Sequence, residues 1–254
     1  ASLANDSDTQ RWVESLPFKD MVRFGWVPTA KDLPEKVIAC LRFFGVRDLS
    51  AWKQSYKPVL ESAVFRTSAA FESTPGAVAA WFRRGEQESA SITCESWNVE
   101  RLHQVLKDLR ALTREPDPKV FLPRVRELLC ACGVAVVVLR APAGCRASGA
   151  TRFITAKKAL MLLSFRHLSD DQFWFSVFHE AGHLLLHKDR VMVDAPDMPS
   201  SKEEEEANAF AAKILVPDEF KTEMLRLPVD GRAVMRFARR IGVSPGIIVG
   251  QMQH

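Results

Sequence analysis

The chain has 254 residues, of which 47% are hydrophobic and 26% charged, with a net charge of +4. This balance excludes global disorder, suffices for one large domain or two modest ones, and permits an acidic partner without requiring one. No apolar run reaches the roughly 18 residues that span a bilayer and no signal peptide opens the sequence, so a cytoplasmic protein is expected.

Residues 1–10 are polar and expected to fray. From Arg11 to about residue 132 the pattern is helical and punctuated by proline. Pro34 opens a run in which Val37, Ile38, Leu41 and Phe44 recur at helical spacing, and Gly45 is its stop signal. Asp48 can cap a short helix carrying Trp52 and Tyr56, residues 59–71 read as another, and Pro75-Gly76 starts one through Val78, Trp81 and Phe82. Asn98 can cap residues 99–112, where Leu102, Val105, Leu106 and Leu109 share a face. Glu115-Pro116-Asp117-Pro118 breaks the chain. This predicts a helical domain over 1–115 and a second domain over 116–254.

Beyond Cys132 the period changes. Residues 134–139 form a β-branched apolar run that reads as a buried strand, 141–150 as a loop, and 151–155 and 159–164 as two further strands. Helical spacing resumes at Asp170-Asp171, whose charges suit a helix N-terminus. Residues 194–201 read as a loop, 203–216 as a helix ended by Pro217, and 232–241 and 245–252 as two short helices. The expected fold is α+β: a helical N-terminal domain followed by a small mixed sheet packed with helices.

The five cysteines (Cys40, Cys94, Cys130, Cys132 and Cys145) form no CxxC pair, and are expected mostly as small core residues of a reducing compartment.

The segment His179-Glu180-Ala181-Gly182-His183 fits H-E-x-x-H. Histidines four apart share one helix face, so both imidazoles can reach a zinc ion at about 2.0–2.1 Å. Glu180, offset from them, suits a general base for water. Chance produces this short pattern in roughly one chain in a hundred of this length. The amphipathic helix around it and the carboxylate-rich helix after it make two incidental histidines the poorer reading. A third ligand is expected from Glu203, Glu204, Glu205 or Glu206. Extending the apolar face of Ala207, Phe210, Ala211, Ile214 and Leu215 back one turn reaches Glu203 and Glu204. The remaining glutamates suit a solvated helix start, where Ser200 with Glu203 or Ser201 with Glu204 would form a capping box.

This motif, followed by Glu204-Glu205-Glu206-Ala207-Asn208-Ala209-Phe210-Ala211-Ala212 and Leu215-Val216-Pro217, resembles the ImmA/IrrE family of zinc metallopeptidases. The resemblance is most specific over 174–217. It extends to Phe237-Ala238-Arg239-Arg240-Ile241-Gly242-Val243-Ser244-Pro245-Gly246, to Phe43-Phe44-Gly45-Val46 and to Ala80-Trp81-Phe82-Arg83-Arg84-Gly85-Glu86. It implies a zincin-like (gluzincin-like) domain with Glu204 as third ligand to Zn2+. It also implies a zinc-dependent endopeptidase that cleaves a partner, a helix-turn-helix repressor or antitoxin, in a stress, mobile-element or toxin–antitoxin response. The upstream matches point to a subgroup in which a helix-turn-helix domain precedes the peptidase. No such domain is visible in this sequence, so DNA binding is not carried over.

By the same resemblance the strand at 159–164 is expected as an edge strand that receives substrate by β-addition, with Leu162 at its centre. Arg166 and His167 are candidates to stabilise an oxyanion, with a plain surface role as the alternative. His187 lies about 12 Å along the helix from His179, too far to share an ion with it, so a supporting role is expected. Tyr56, the only tyrosine, is not expected in the site. Residues 233–252 have a helix-turn-helix outline, with a terminal packing pair as the preferred reading. The rival function is a non-proteolytic metal-binding module that docks to a repressor or to DNA.

Overall fold

The computed structural model describes residues 7–64, 74–164, 170–187, 192–194, 201–228 and 230–253. Helices α1 (Ser7–Ser15), α2 (Phe18–Arg23), α3 (Leu33–Phe44), α4 (Leu49–Val64) and α5 (Pro75–Ala90) come first, then α6 (Val99–Leu112) and α7 (Pro118–Cys130). Local signals start and stop several of them as the sequence predicts, but the expected division between a short helix at Trp52 and Tyr56 and another over 59–71 is wrong: α4 runs without a break from Leu49 to Val64, and residues 65–71 lie outside the described residues. Asp32 accepts from the Glu35 amide at the head of α3, and Gly45 closes it at φ 68°. Asn98 accepts from the Arg101 amide at 2.7 Å and starts α6.

Strands β1 (Val134–Val138), β2 (Gly149–Thr155), β3 (Lys158–Leu163) and β4 (Met192–Asp194) form a mixed sheet in the order β1-β3-β2-β4. β1 pairs parallel to β3, and β2 antiparallel to both β3 and β4. The expectation that residues 159–164 form an edge strand is therefore wrong: β3 is hydrogen-bonded on both sides. Leu162 is fully buried and packs on α5, where a Cβ added to Gly85 would lie 2.7 Å from its Cδ2. It offers no surface to a substrate. β4 is not legible in the sequence, because three residues carry no period; its last residue, Asp194, falls at the start of the expected loop.

Helices α8 (Asp170–Leu186), α9 (Lys202–Leu215), α10 (Asp218–Leu225), α11 (Gly231–Ile241) and α12 (Pro245–Met252) complete the fold. The sheet separates two cores. Val134, Val136, Ala159, Met161 and Leu163 pack with α6–α12, whereas Val137, Leu160, Leu162, Ala150 and Val193 pack with α1–α5. Alternating residues of β3 thus face opposite compartments. Helices α6 and α7 lie on either side of the proline-rich break at 115–118 and contribute to the same core; the change between cores comes at the segment joining α5 to α6. Arg152 of β2 pairs with Glu86 of α5 at 2.7 Å, fastening the sheet to the helical layer.

Among the cysteines, Cys40, Cys132 and Cys145 are buried, as expected of core residues. Burial pushes the Cys40 thiol up to about 12. Cys94 and Cys130 depart from that expectation: they form a disulfide with Cα atoms 4.7 Å apart. Among the described residues, no helix is long and apolar enough to cross a membrane.

Candidate metal centre

Helix α8 carries the H-E-x-x-H segment through the middle of the structure. Phe173, Trp174, Val177, Phe178, Ala181 and Leu184 bury its apolar face, which leaves His179 and His183 one turn apart and facing α9. Gly182 lets the two helices close. A Cβ there would lie 3.0 Å from Phe210 Cδ1 and 3.4 Å from Ala207 Cα. The glycine inside the motif therefore sets the interhelical approach that brings a carboxylate into reach.

That carboxylate is Glu204. The Ser201 hydroxyl accepts from the Glu204 amide at 3.3 Å and fixes where α9 begins. The Glu204 side chain turns to the histidines. Its Oε2 lies 3.1 Å from His179 Nε2, its Oε1 3.3 Å from His183 Nε2, and the two Nε2 atoms are 2.9 Å apart. Exposure is 1% at His179, 1% at His183 and 6% at Glu204, so bulk water does not satisfy the cluster. Of the four glutamates, Glu204 is the one the structure brings to the histidines.

The second ring nitrogens decide what the three atoms can hold. His179 Nδ1 lies 2.9 Å from Asn208 Oδ1, an acceptor, so Nδ1 carries the hydrogen and Nε2 a lone pair. His183 Nδ1 is likewise engaged, 3.1 Å from His187 Nδ1. Two imidazole lone pairs and a carboxylate directed at one another repel unless a cation lies between them. A tetrahedral site with bonds of 2.0–2.1 Å has ligand atoms about 3.3–3.4 Å apart, and separations of 2.9–3.3 Å are close to that. The donor set fits a divalent metal ion.

Electrostatics agree. Burial raises the pKa of Glu204, but hydrogen bonds and charge from the two imidazoles when protonated at Nε2 more than reverse this and hold the carboxyl well below the usual range, so the site favours positive charge facing this carboxylate. Burial lowers that of His183, with the Glu204 contact opposing it, so the imidazole favours its neutral, metal-ligating form. Glu180 is fully buried, and its carboxylate lies against Gly149 at the start of β2, where an added Cβ would fall 2.7 Å from Glu180 Cδ. This contact joins residues 31 apart and left no trace in the local sequence pattern.

Sequence reasoning missed Asn208, although it stands four residues after Glu204 on the same helical face, which could have flagged it. It also set Glu206 aside as solvated, yet Glu206 Oε2 lies 2.8 Å from His187 Nε2. Tyr56 packs against Phe44 and Trp52 in the other core, away from the cluster as expected. Arg166 and His167 lie outside the described residues. In the pair α11–α12, α12 buries Ile247 and Ile248, and an added Cβ at Gly250 would lie 2.7 Å from Asp171 Oδ2 of α8. That contact seats α12 on the helix that bears the histidines.

No curated protein matches the chain. The peptidase M78 family, described as the IrrE N-terminal-like domain, matches residues 134–250, a span that runs from β1 into α12 and contains every residue of the cluster. The fold, the buried His-His-Glu group and this match agree: the chain carries a metallopeptidase domain of the peptidase M78 (IrrE N-terminal-like) family.

Proposed function

We propose that the protein is a zinc-dependent endopeptidase that cuts a partner protein, a helix-turn-helix repressor or antitoxin being the substrate class the family resemblance favours. The observation that carries the catalytic half is the convergence of His179 Nε2 and His183 Nε2, 2.9 Å apart, on the Glu204 carboxylate, whose Oε2 lies 3.1 Å from the first and whose Oε1 lies 3.3 Å from the second, with Glu180 on the same helix as the histidines. Zinc, when bound, supplies the Lewis acidity that makes a water nucleophilic near neutral pH and polarises a peptide carbonyl. His179, His183 and Glu204 would hold it. Asn208 fixes the tautomer of His179 through Nδ1. Glu180 takes the proton of the attacking water and delivers it to the leaving amine.

Glu180→Gln tests the assignment. The variant should keep about one zinc per chain, lose cleavage, and retain the substrate as a trap that co-purifies with the chain. Cleavage at the wild-type rate by Glu180→Gln would remove Glu180 as the base. An absence of zinc from wild type after zinc is supplied would favour a binding module over an enzyme.

A further inference from the structure

We propose that Glu206 and His187 form a relay that sets the tautomer of His183 and so tunes the affinity of the metal centre. The inference rests on the metal-centre reading above and gives roles to two residues that this reading does not use. His187 follows α8 directly, its amide donating to the His183 carbonyl at 2.8 Å, which places its ring beside that of His183 with centroids 5.3 Å apart. Glu206 lies on α9, two residues beyond Glu204.

Glu206 Oε2, a carboxylate oxygen that can only accept, lies 2.8 Å from His187 Nε2, so that nitrogen carries the hydrogen. A neutral imidazole has one N–H, which leaves a lone pair on His187 Nδ1. This nitrogen is 3.1 Å from His183 Nδ1 and therefore accepts from it. His183 then holds its hydrogen on Nδ1 and presents the Nε2 lone pair towards His179 and Glu204. Without an acceptor at 187, His183 can place its hydrogen on either nitrogen, and the Nε2–H form blocks the ligand position. The His187 side chain is 9% exposed and Glu206 43%, so the relay runs from a half-exposed carboxylate to a buried ligand atom. His179 Nδ1 meets the Asn208 amide directly, whereas His183 Nδ1 is linked through His187, just beyond α8, to Glu206 of α9.

A purely structural role, tying the end of α8 to α9, is the competing reading, and the test separates the two. Zinc affinity is measured on the full chain by competition with a chromophoric chelator, for wild type, His187→Phe, His187→Gln and Glu206→Leu. His187→Phe keeps the ring shape and loses the acceptor. It should bind zinc about 10–100-fold more weakly, the usual effect of removing an outer partner of a ligand. His187→Gln, whose amide oxygen can accept from His183 Nδ1, should recover most of that loss, and Glu206→Leu should fall between. Nitrogen NMR of the zinc-free protein should show His183 protonated on Nδ1 in wild type and a mixture of tautomers in His187→Phe. Equal zinc affinity in wild type and His187→Phe overturns the relay while leaving the metal centre intact. So does a loss that tracks melting temperature and that His187→Gln does not restore. A wild-type protein that binds no zinc overturns both.

Discussion

The approach of Gly149 to Glu180 allows the proposed base to be displaced without touching a metal ligand. In Gly149→Ala the new Cβ would lie 2.7 Å from Glu180 Cδ and 2.8 Å from its Cγ. Carbon atoms pack at about 3.5–4.0 Å, so the carboxylate has to retreat by roughly 1 Å or the strand must yield. Gly149 is paired with Leu163 on one side and Asp194 on the other, which holds the backbone in place and makes the side chain the part that moves. A misplacement of about 1 Å can cost on the order of 100-fold in rate, equivalent to about 2.7 kcal/mol in the barrier. Overpacking should also lower stability by roughly 1–3 kcal/mol. The measurements are kcat/KM on the partner captured with Glu180→Gln, zinc per chain, and the melting curve. The expected result is a loss of about two orders of magnitude in turnover with zinc content unchanged. Wild-type turnover in Gly149→Ala, or loss of the metal along with turnover, would refute the reasoning.

Acidity, reduction and loss of one carboxylate should each change the stability of the protein. The folded pKa of His183 lies below its ordinary value of 6.5 because burial outweighs the Glu204 contact. The unfolded chain therefore binds more protons, and the metal-free protein should lose stability as pH falls below about 6.5, with a further loss below about 4.5 from Glu204; a melting temperature flat between pH 7 and 5 would contradict this. The Cys94–Cys130 bond closes a separation of 36 residues, for which chain entropy gives up to about 4 kcal/mol; reductant should lower the melting temperature of wild type but not of Cys130→Ser, and equal sensitivity in both would be the contrary result. Glu86→Ala leaves the half-buried Arg83 and Arg152 without their shared carboxylate, and denaturant unfolding should register a loss of roughly 1–2 kcal/mol; an unchanged midpoint would show that solvent replaces the pair.

What the sequence made legible was local. The four-residue spacing of His179 and His183 is a helical repeat, and the apolar face of α9 brought Glu203 and Glu204 forward before the resemblance selected Glu204. The cap at Asn98 and the left-handed Gly45 were readable for the same reason, since each acts within four residues, whereas the cap at Asp32 was not singled out beside Pro34. The parts that escaped depend on distant pairing. Strand order is not sequence order, so the central place of β3 and the burial of Leu162 could not be read from its apolar run. The meeting of Gly149 with Glu180, of Cys94 with Cys130 and of His187 with Glu206 each joins separate elements. Helix α10 was missed although Phe220 and Met224 stand one turn apart, because the segment is only eight residues long.

The two-faced β3 strand carries a consequence for how the protein can be altered. Leu160 and Leu162 lie in the compartment of α1–α5, and Met161 and Leu163 in that of the histidine-bearing helix. Neighbouring peptides of a single strand cannot slide independently, so a shift forced at Leu162 by a bulkier residue at position 85 is also a shift of the wall behind Trp174 and Phe178. The helical layer is thus a mechanical boundary condition on the catalytic half. Cutting the chain between α5 and α6 to isolate the peptidase would strip the cover from one side of the sheet. The product would be a sticky half-sandwich whose inactivity would say nothing about its chemistry.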